Sequence, residues 1–370
     1  MIHFKKEQYR KIEEDFELWW EHKLERPIIQ VTLTNTSNAL TGDFFGSNYR
    51  KEILEASYDM EVSVEEAVKR IDGAYSNVEF YGDAFPVFYM RPTGVLGGYL
   101  GQQHNINKDL GTVWFFNEKM TLEEAARLEL DRTLPLYQRS ISLTKQVQEH
   151  FQGLVAVGIP DLGGVYDILA SICDSNDLLL DLCIEEEGVK KGAWNIHEQF
   201  KKAYDDFFDA INLSQIPGYT CWATMLSQKP YFVLQNDFSA MISSDMFDDF
   251  YMPILEKECQ YIPRTIYHLD GPGAVRHLDS ILTIQELDGV QWINGAGAPG
   301  LDQWPDIYKK IRNAGKLCQV FINGADELRY IDDIVEISGG TKDLCFICSG
   351  DSKEKDRFDE YLRKYKVLTD

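Results

Sequence analysis

The strongest constraint on this chain lies in its second half, where short β-rich apolar runs alternate with amphipathic helical stretches. From Arg264 onward the strands read Thr265–His268, Gly289–Ile293, Lys316–Ile322 and Leu344–Cys348. The helices between and after them read Ala274–Leu282, Gln303–Asn313, Asp326–Ile337 and Lys353–Tyr365. Parallel strands need crossover connections, and helices of this length supply them with right-handed chirality. Gly315 stands where a helix C′ glycine belongs. The first half is looser. It offers strands at Pro27–Thr32, Leu154–Gly158 and Tyr231–Leu234, a long helix from Leu122 to Phe151, and a helix from Ser244 to Cys259 capped by Ser243-Ser244-Asp245. The expected fold is α/β, a (β/α)8 TIM barrel over 1–370. Residues 1–26 form an N-terminal helix packed on it, and insertions near 35–120 elaborate its N-terminal half. A doubly wound sheet is the alternative.

Charge and composition narrow the partners. A net charge of −23 over 370 residues, with basic clusters no longer than Lys5-Lys6 and Lys190-Lys191, excludes a nucleic-acid footprint and an anionic membrane surface. A hydrophobic fraction of 44% excludes a disordered acidic chain. The opening segment has no apolar signal core, and no run reaches the ~18 apolar residues of a membrane span. Seven cysteines without framework spacing suit reduced thiols, so a cytoplasmic location is expected. Cys345-Phe346-Ile347-Cys348 is a C-x-x-C, but it sits inside a strand rather than at a helix start, which argues against redox work.

In a barrel, chemistry gathers where strands end. Those positions hold Asp83, Asp161, Asp237, His268, Asp270, Gln291, Trp292, Asn294, Gln319, Asn323 and Cys348. His268 and Asp270 are two apart on an extended strand, so they face one way and suit either acid–base work or metal ligation. Cys348 would add a soft third ligand; the alternative is a His–Asp pair that orders a loop. Asp83, ringed by Phe80, Tyr81 and Phe85, suits proton transfer if desolvated, or a turn cap if not. Arg91 offers a fork for a substrate carboxylate, or a surface ion pair. Trp222 and Trp292 stand near strand ends as a stacking wall for substrate, or as core. Gly295-Ala296-Gly297-Ala298-Pro299-Gly300 matches G-x-G-x-x-G, yet the next strand ends at Asn323 without the acidic residue a dinucleotide needs.

Several segments together resemble the uroporphyrinogen decarboxylase-like superfamily, which includes corrinoid-linked methyltransferases. They are Gln235–Ser243 followed by Met246–Pro253, Gly158-Ile159-Pro160-Asp161, Tyr81–Pro86, and His268-Leu269-Asp270-Gly271. The resemblance covers roughly 10–365 and implies a (β/α)8 barrel. It places Asp83 where the decarboxylase has its catalytic aspartate, and His268 and Asp270 where the methyltransferases have His-x-Cys. Two departures stand out. The arginine-rich segment after the first strand is replaced by Val31–Asn38, with no arginine before Arg50, and the decarboxylase's late histidine has no counterpart.

Methyl transfer on a small methylated compound is therefore the leading expectation. Zinc would be held by His268, Asp270 and Cys348, and a corrinoid would be carried by a partner protein. Decarboxylation of a small or tetrapyrrole acid is the alternative, with Asp83, Asp161, His268 and Asp270 as acid–base groups. In either case Arg91, Trp222, Asp237, Gln291, Trp292, Asn294 and Gln319 would contact substrate. A non-catalytic ligand-binding barrel is the third reading, and a homodimer is compatible with all three.

Overall fold

A computed structural model describes residues 2–35, 48–91, 94–108 and 111–368. Thr36, Ser37 and Asn38 of the segment after the first strand, and Pro92 and Thr93 beside Arg91, lie outside the described residues. Eight strands of the described residues form the wall of a barrel: β1 (Ile28–Thr34), β2 (Val87–Phe88), β3 (Ala156–Val157), β4 (Tyr231–Gln235), β5 (Arg264–Asp270), β6 (Gly289–Ile293), β7 (Leu317–Asn323) and β8 (Leu344–Asp351). Six of them run as one parallel ladder in the order β1-β8-β7-β6-β5-β4, and β2 and β3 form a parallel pair of their own. The fold is the expected α/β barrel rather than a doubly wound sheet.

Register decides which side chains share the interior. Gln235 pairs with His268, His268 with Gln291, Gln291 with Gln319, and Gln319 with Cys345. Partners on parallel strands face the same way, so these five residues make one layer inside the barrel. Positions an odd number of residues away face the surrounding helices. That rule places Trp292 and Cys348 on the outer side of the sheet.

An antiparallel strand, Val78–Gly82, flanks β1, with Gln30 opposite Gly82 and Thr34 opposite Val78. It runs down towards the N-terminal end of the barrel. Gly82 turns there with φ +62°, and a Cβ would meet the Ile29 carbonyl at 2.4 Å, so the close approach requires glycine.

The helix Tyr9–Trp20 seals the same end, because its apolar positions Tyr9, Ile12, Phe16, Trp19 and Trp20 recur at helical spacing and are all buried. Tyr9 donates to the carbonyls of Pro86 (3.3 Å) and Leu154 (3.2 Å), just before β2 and β3. Trp20 packs on Tyr231 at 5.4 Å, and Glu17 grips Arg264 at 2.6 and 2.8 Å, at the first residues of β4 and β5.

The long helix expected over Leu122–Phe151 is two helices, Leu122–Ala125 and Pro135–Phe151. Pro135 sits in the first turn of the second, where its missing N–H costs nothing, and it ends any helix arriving from before it. Three helices, Val165–Cys173, Ser175–Ile184 and Glu186–Ala210, then fill the stretch between β3 and β4.

Candidate functional site

The C-terminal mouth of the barrel gathers three ligand-type side chains. Donor atoms of Asp237, His268 and Asp270 all lie within 4.8 Å of one another. His268 and Asp270 sit two apart near the end of β5, so strand alternation alone aims both inward. Asp237 opens the 3₁₀ turn that follows β4. Asp167, on the helix after β3, holds that turn: its carboxylate accepts the backbone N–H groups of Asp237 (3.1 Å) and Phe238 (2.7 Å). Tyr251, from a π-helical turn at Phe247–Tyr251, donates to the Gln235 carbonyl at 2.9 Å and fixes the end of β4.

His268 is part of a continuous chain of hydrogen bonds. Its Nδ1 meets Gln291 Oε1, Gln291 Nε2 donates to Gln319 Oε1, and Gln319 Nε2 donates to the Ala223 carbonyl at 3.1 Å. Trp222 stands edge-on to the imidazole with ring centres 5.2 Å apart, and its own N–H is tied to the Val233 carbonyl at 3.1 Å. Burial pushes the His268 pKa below the usual imidazole range, and Asp270 and Gln291 pull it part of the way back.

The carboxylates around it shift the other way. Burial raises Asp161 to about 7, with Asp237 and Asp167 adding repulsion. Asp167 is raised to about 7 by burial and then by Asp237, and Asp237 to about 6 by the protein around it and then by Asp270. Asp161 accepts from Gly163 N–H (2.9 Å) and Gln235 Nε2 (2.8 Å) through one oxygen, while the other is buried without a partner. The mouth thus combines three metal-type donors with two further carboxyl groups, Asp161 and Asp167, that change charge near neutrality.

Arg91 lies shortly after β2, 9% exposed, with its guanidinium 4.5 Å from the Tyr89 ring centre. Burial and then the neighbouring Arg50 lower its pKa to about 10. No carboxylate pairs with Arg91 among the described residues, and its burial sets it apart from a surface group. Asn294 is held back from the mouth, its amide donating to the Pro299 carbonyl at 2.8 Å and bracing the glycine loop.

Three expected site residues lie elsewhere. Asp83 ends the antiparallel strand, so it sits at the sealed end of the barrel. It is 1% exposed there, bound through both oxygens by Arg26 at 2.8 Å and by the Ile29 N–H at 2.9 Å. Cys348 is three residues from the interior Cys345, hence on the outer face of β8. Burial raises its thiol pKa, with repulsion from Glu327 adding to it. Trp292 also faces outward, packed against Trp304 at 5.3 Å. Of the expected set His268, Asp270 and Cys348, the structure brings His268 and Asp270 together, and Asp237 rather than Cys348 stands as the third ligand-type side chain beside them.

Asp167 and Gln235 are functional neighbours that the sequence reading passed over. A glutamine directly after the apolar run Tyr231–Leu234 is the available signal for Gln235, because buried polar residues carry the information. Asp167 lies in the first turn of an ordinary apolar helix, and nothing local marks it.

No family model matches the chain, and no curated protein matches it. Among solved structures it is similar to a methyltransferase from Methanosarcina mazei, with a TM-score of 0.62 at 10% identity, covering 95% of this chain and 98% of that one. At that identity the likeness concerns the fold, which the two chains share from end to end. An HpcH/HpaI aldolase from Desulfitobacterium hafniense DCB-2 aligns with a TM-score of 0.24 at 14% identity, over 64% of this chain and 80% of that one. Among the described residues, no helix is long and apolar enough to cross a membrane.

Proposed function

We propose that this protein is a metal-assisted methyltransferase acting on a small molecule held in the barrel mouth. The observation that carries the reading is the convergence of Asp237, His268 and Asp270 at the catalytic end of the fold. The end-to-end likeness to a methyltransferase supports it. The donor set of one imidazole nitrogen and two carboxylates fits a divalent ion, and fits it without Cys348. It is harder than a thiolate site, so zinc shares it with Mn²⁺, Fe²⁺ and Co²⁺ as candidates.

When bound, such an ion supplies Lewis acidity that lowers the pKa of a coordinated nucleophile. The chain's own groups do the rest. Trp222 fixes the imidazole edge and walls the pocket on that side. Gln291 and Gln319 line the tube beneath it. Asp161, with its pKa of about 7 and an unpartnered oxygen, holds or releases a proton at that oxygen as the methyl acceptor is activated. Arg91, a buried cation without a carboxylate partner among the described residues, binds an anionic group of the substrate. A corrinoid-carrying protein is the methyl source that fits this scheme, and a homodimer is compatible with it. Decarboxylation centred on Asp83 loses its key residue to the Arg26 ion pair.

The test joins metal content to transfer. Protein purified without chelator is expected to carry about one divalent ion per chain, and to demethylate a methylated corrinoid protein when offered a small thiol or alcohol acceptor. Absence of any divalent-ion binding by the intact fold would overturn the reading.

A further inference from the structure

The interior glutamines have a direction, and a backbone carbonyl sets it. Ala223 C=O can only accept, so the Gln319 atom 3.1 Å from it is the amide nitrogen. Gln319 therefore turns its oxygen to Gln291, which must answer with its own amide nitrogen. Gln291 is left with its oxygen towards His268, and an oxygen there requires a proton on Nδ1. Both glutamines are fully buried, so no water competes for these positions.

We propose that Gln291 and Gln319 are positioning residues that lock neutral His268 in its Nδ1–H tautomer and leave the Nε2 lone pair for an ion between Asp237 and Asp270. The use made of that lone pair rests on the metal-assisted reading, but the tautomer itself does not. A ring free to exchange tautomers would spend part of its time with Nε2 protonated and unable to ligate. The carbonyl of Ala223 thus selects the ligand atom through two amides that never touch the ion.

The experiment is ¹⁵N-histidine labelling of the full-length, metal-free protein, with long-range ¹H–¹⁵N correlation and His268 assigned by its loss in His268→Gln. The expected wild-type spectrum shows Nδ1 protonated and Nε2 unprotonated. Gln291→Leu and Gln319→Leu should admit the Nε2–H form and weaken Mn²⁺ or Zn²⁺ binding about tenfold to a hundredfold. Gln291→Glu, which as a neutral acid can accept from Nδ1–H and donate to Gln319, should restore the wild-type spectrum. An Nε2–H or mixed tautomer in the wild type overturns the proposal, even where the leucine variants fail to fold. An unchanged tautomer in both folded leucine variants overturns it as well. The expected tautomer with no metal bound by the wild type would instead confirm the relay and sink the metal-assisted reading alone.

Discussion

Arg26 holds Asp83 through both carboxylate oxygens at 2.8 Å, at the end of the barrel opposite His268. Breaking a buried pair by removing one partner leaves an uncompensated charge and costs about 3–5 kcal/mol. Arg26→Met is therefore expected to lower unfolding stability in urea by that order, while divalent-ion affinity in the folded protein stays the same. Asp83→Asn should behave likewise. Unchanged stability with lost transfer activity would return Asp83 to the chemistry.

The outward face of Cys348 makes a second expectation. Isothermal titration with Mn²⁺ or Zn²⁺ should show Asp237→Asn and Asp270→Asn each weakening binding at least about tenfold. Cys348→Ala should bind as the wild type does. A loss of stoichiometry in Cys348→Ala would contradict the register of β8.

Asp161 predicts a pH dependence of stability. Its folded pKa of about 7 lies above the ordinary aspartate value of 3.8, so the folded state holds a proton that the unfolded chain has released. Stability from this group is complete below about pH 4 and is lost as pH rises through about 7. Asp161→Asn mimics the protonated form. It should unfold at higher temperature than the wild type at pH 8, by roughly 1–3 kcal/mol in stability, and the gain should vanish at pH 4. An equal effect at both pH values would refute the assignment.

Trp222 offers an optical readout, since its ring stands 5.2 Å from that of His268. Adding a divalent ion should change the tryptophan fluorescence of the wild type. The change should disappear in Trp222→Phe, although six other tryptophans remain. A change that persists in Trp222→Phe would mean that the ion acts elsewhere.

How much of this was legible beforehand can be traced residue by residue. The βα alternation after Arg264 is plain because each strand is a short, mainly apolar, β-rich run and each helix has a polar face. His268 and Asp270 could be paired because their spacing is local. Asp83 was misplaced because its strand is antiparallel, and direction leaves no trace in the run Val78–Gly82. The faces of Cys348 and Trp292 are not legible beforehand, since the face a strand residue takes depends on its register with neighbours, and Trp292 takes the core place that was its other reading. Asp237 was marked as a substrate contact rather than a ligand, because its approach to His268 depends on Asp167, which holds the turn from another helix. Pro135, by contrast, was a visible break that the long-helix reading overrode.

The helix Tyr9–Trp20 turns the barrel into a tube with one doorway. On the proposed reading, methyl donor, acceptor and both products share the same rim of Asp237, Asp270 and the glycine loop. A bulky methyl-carrying partner seated on that rim would close it to a small acceptor. The kinetics should therefore be ordered: the small acceptor enters first, the methyl group passes directly from the partner to it, and the methylated product leaves only after the partner has withdrawn.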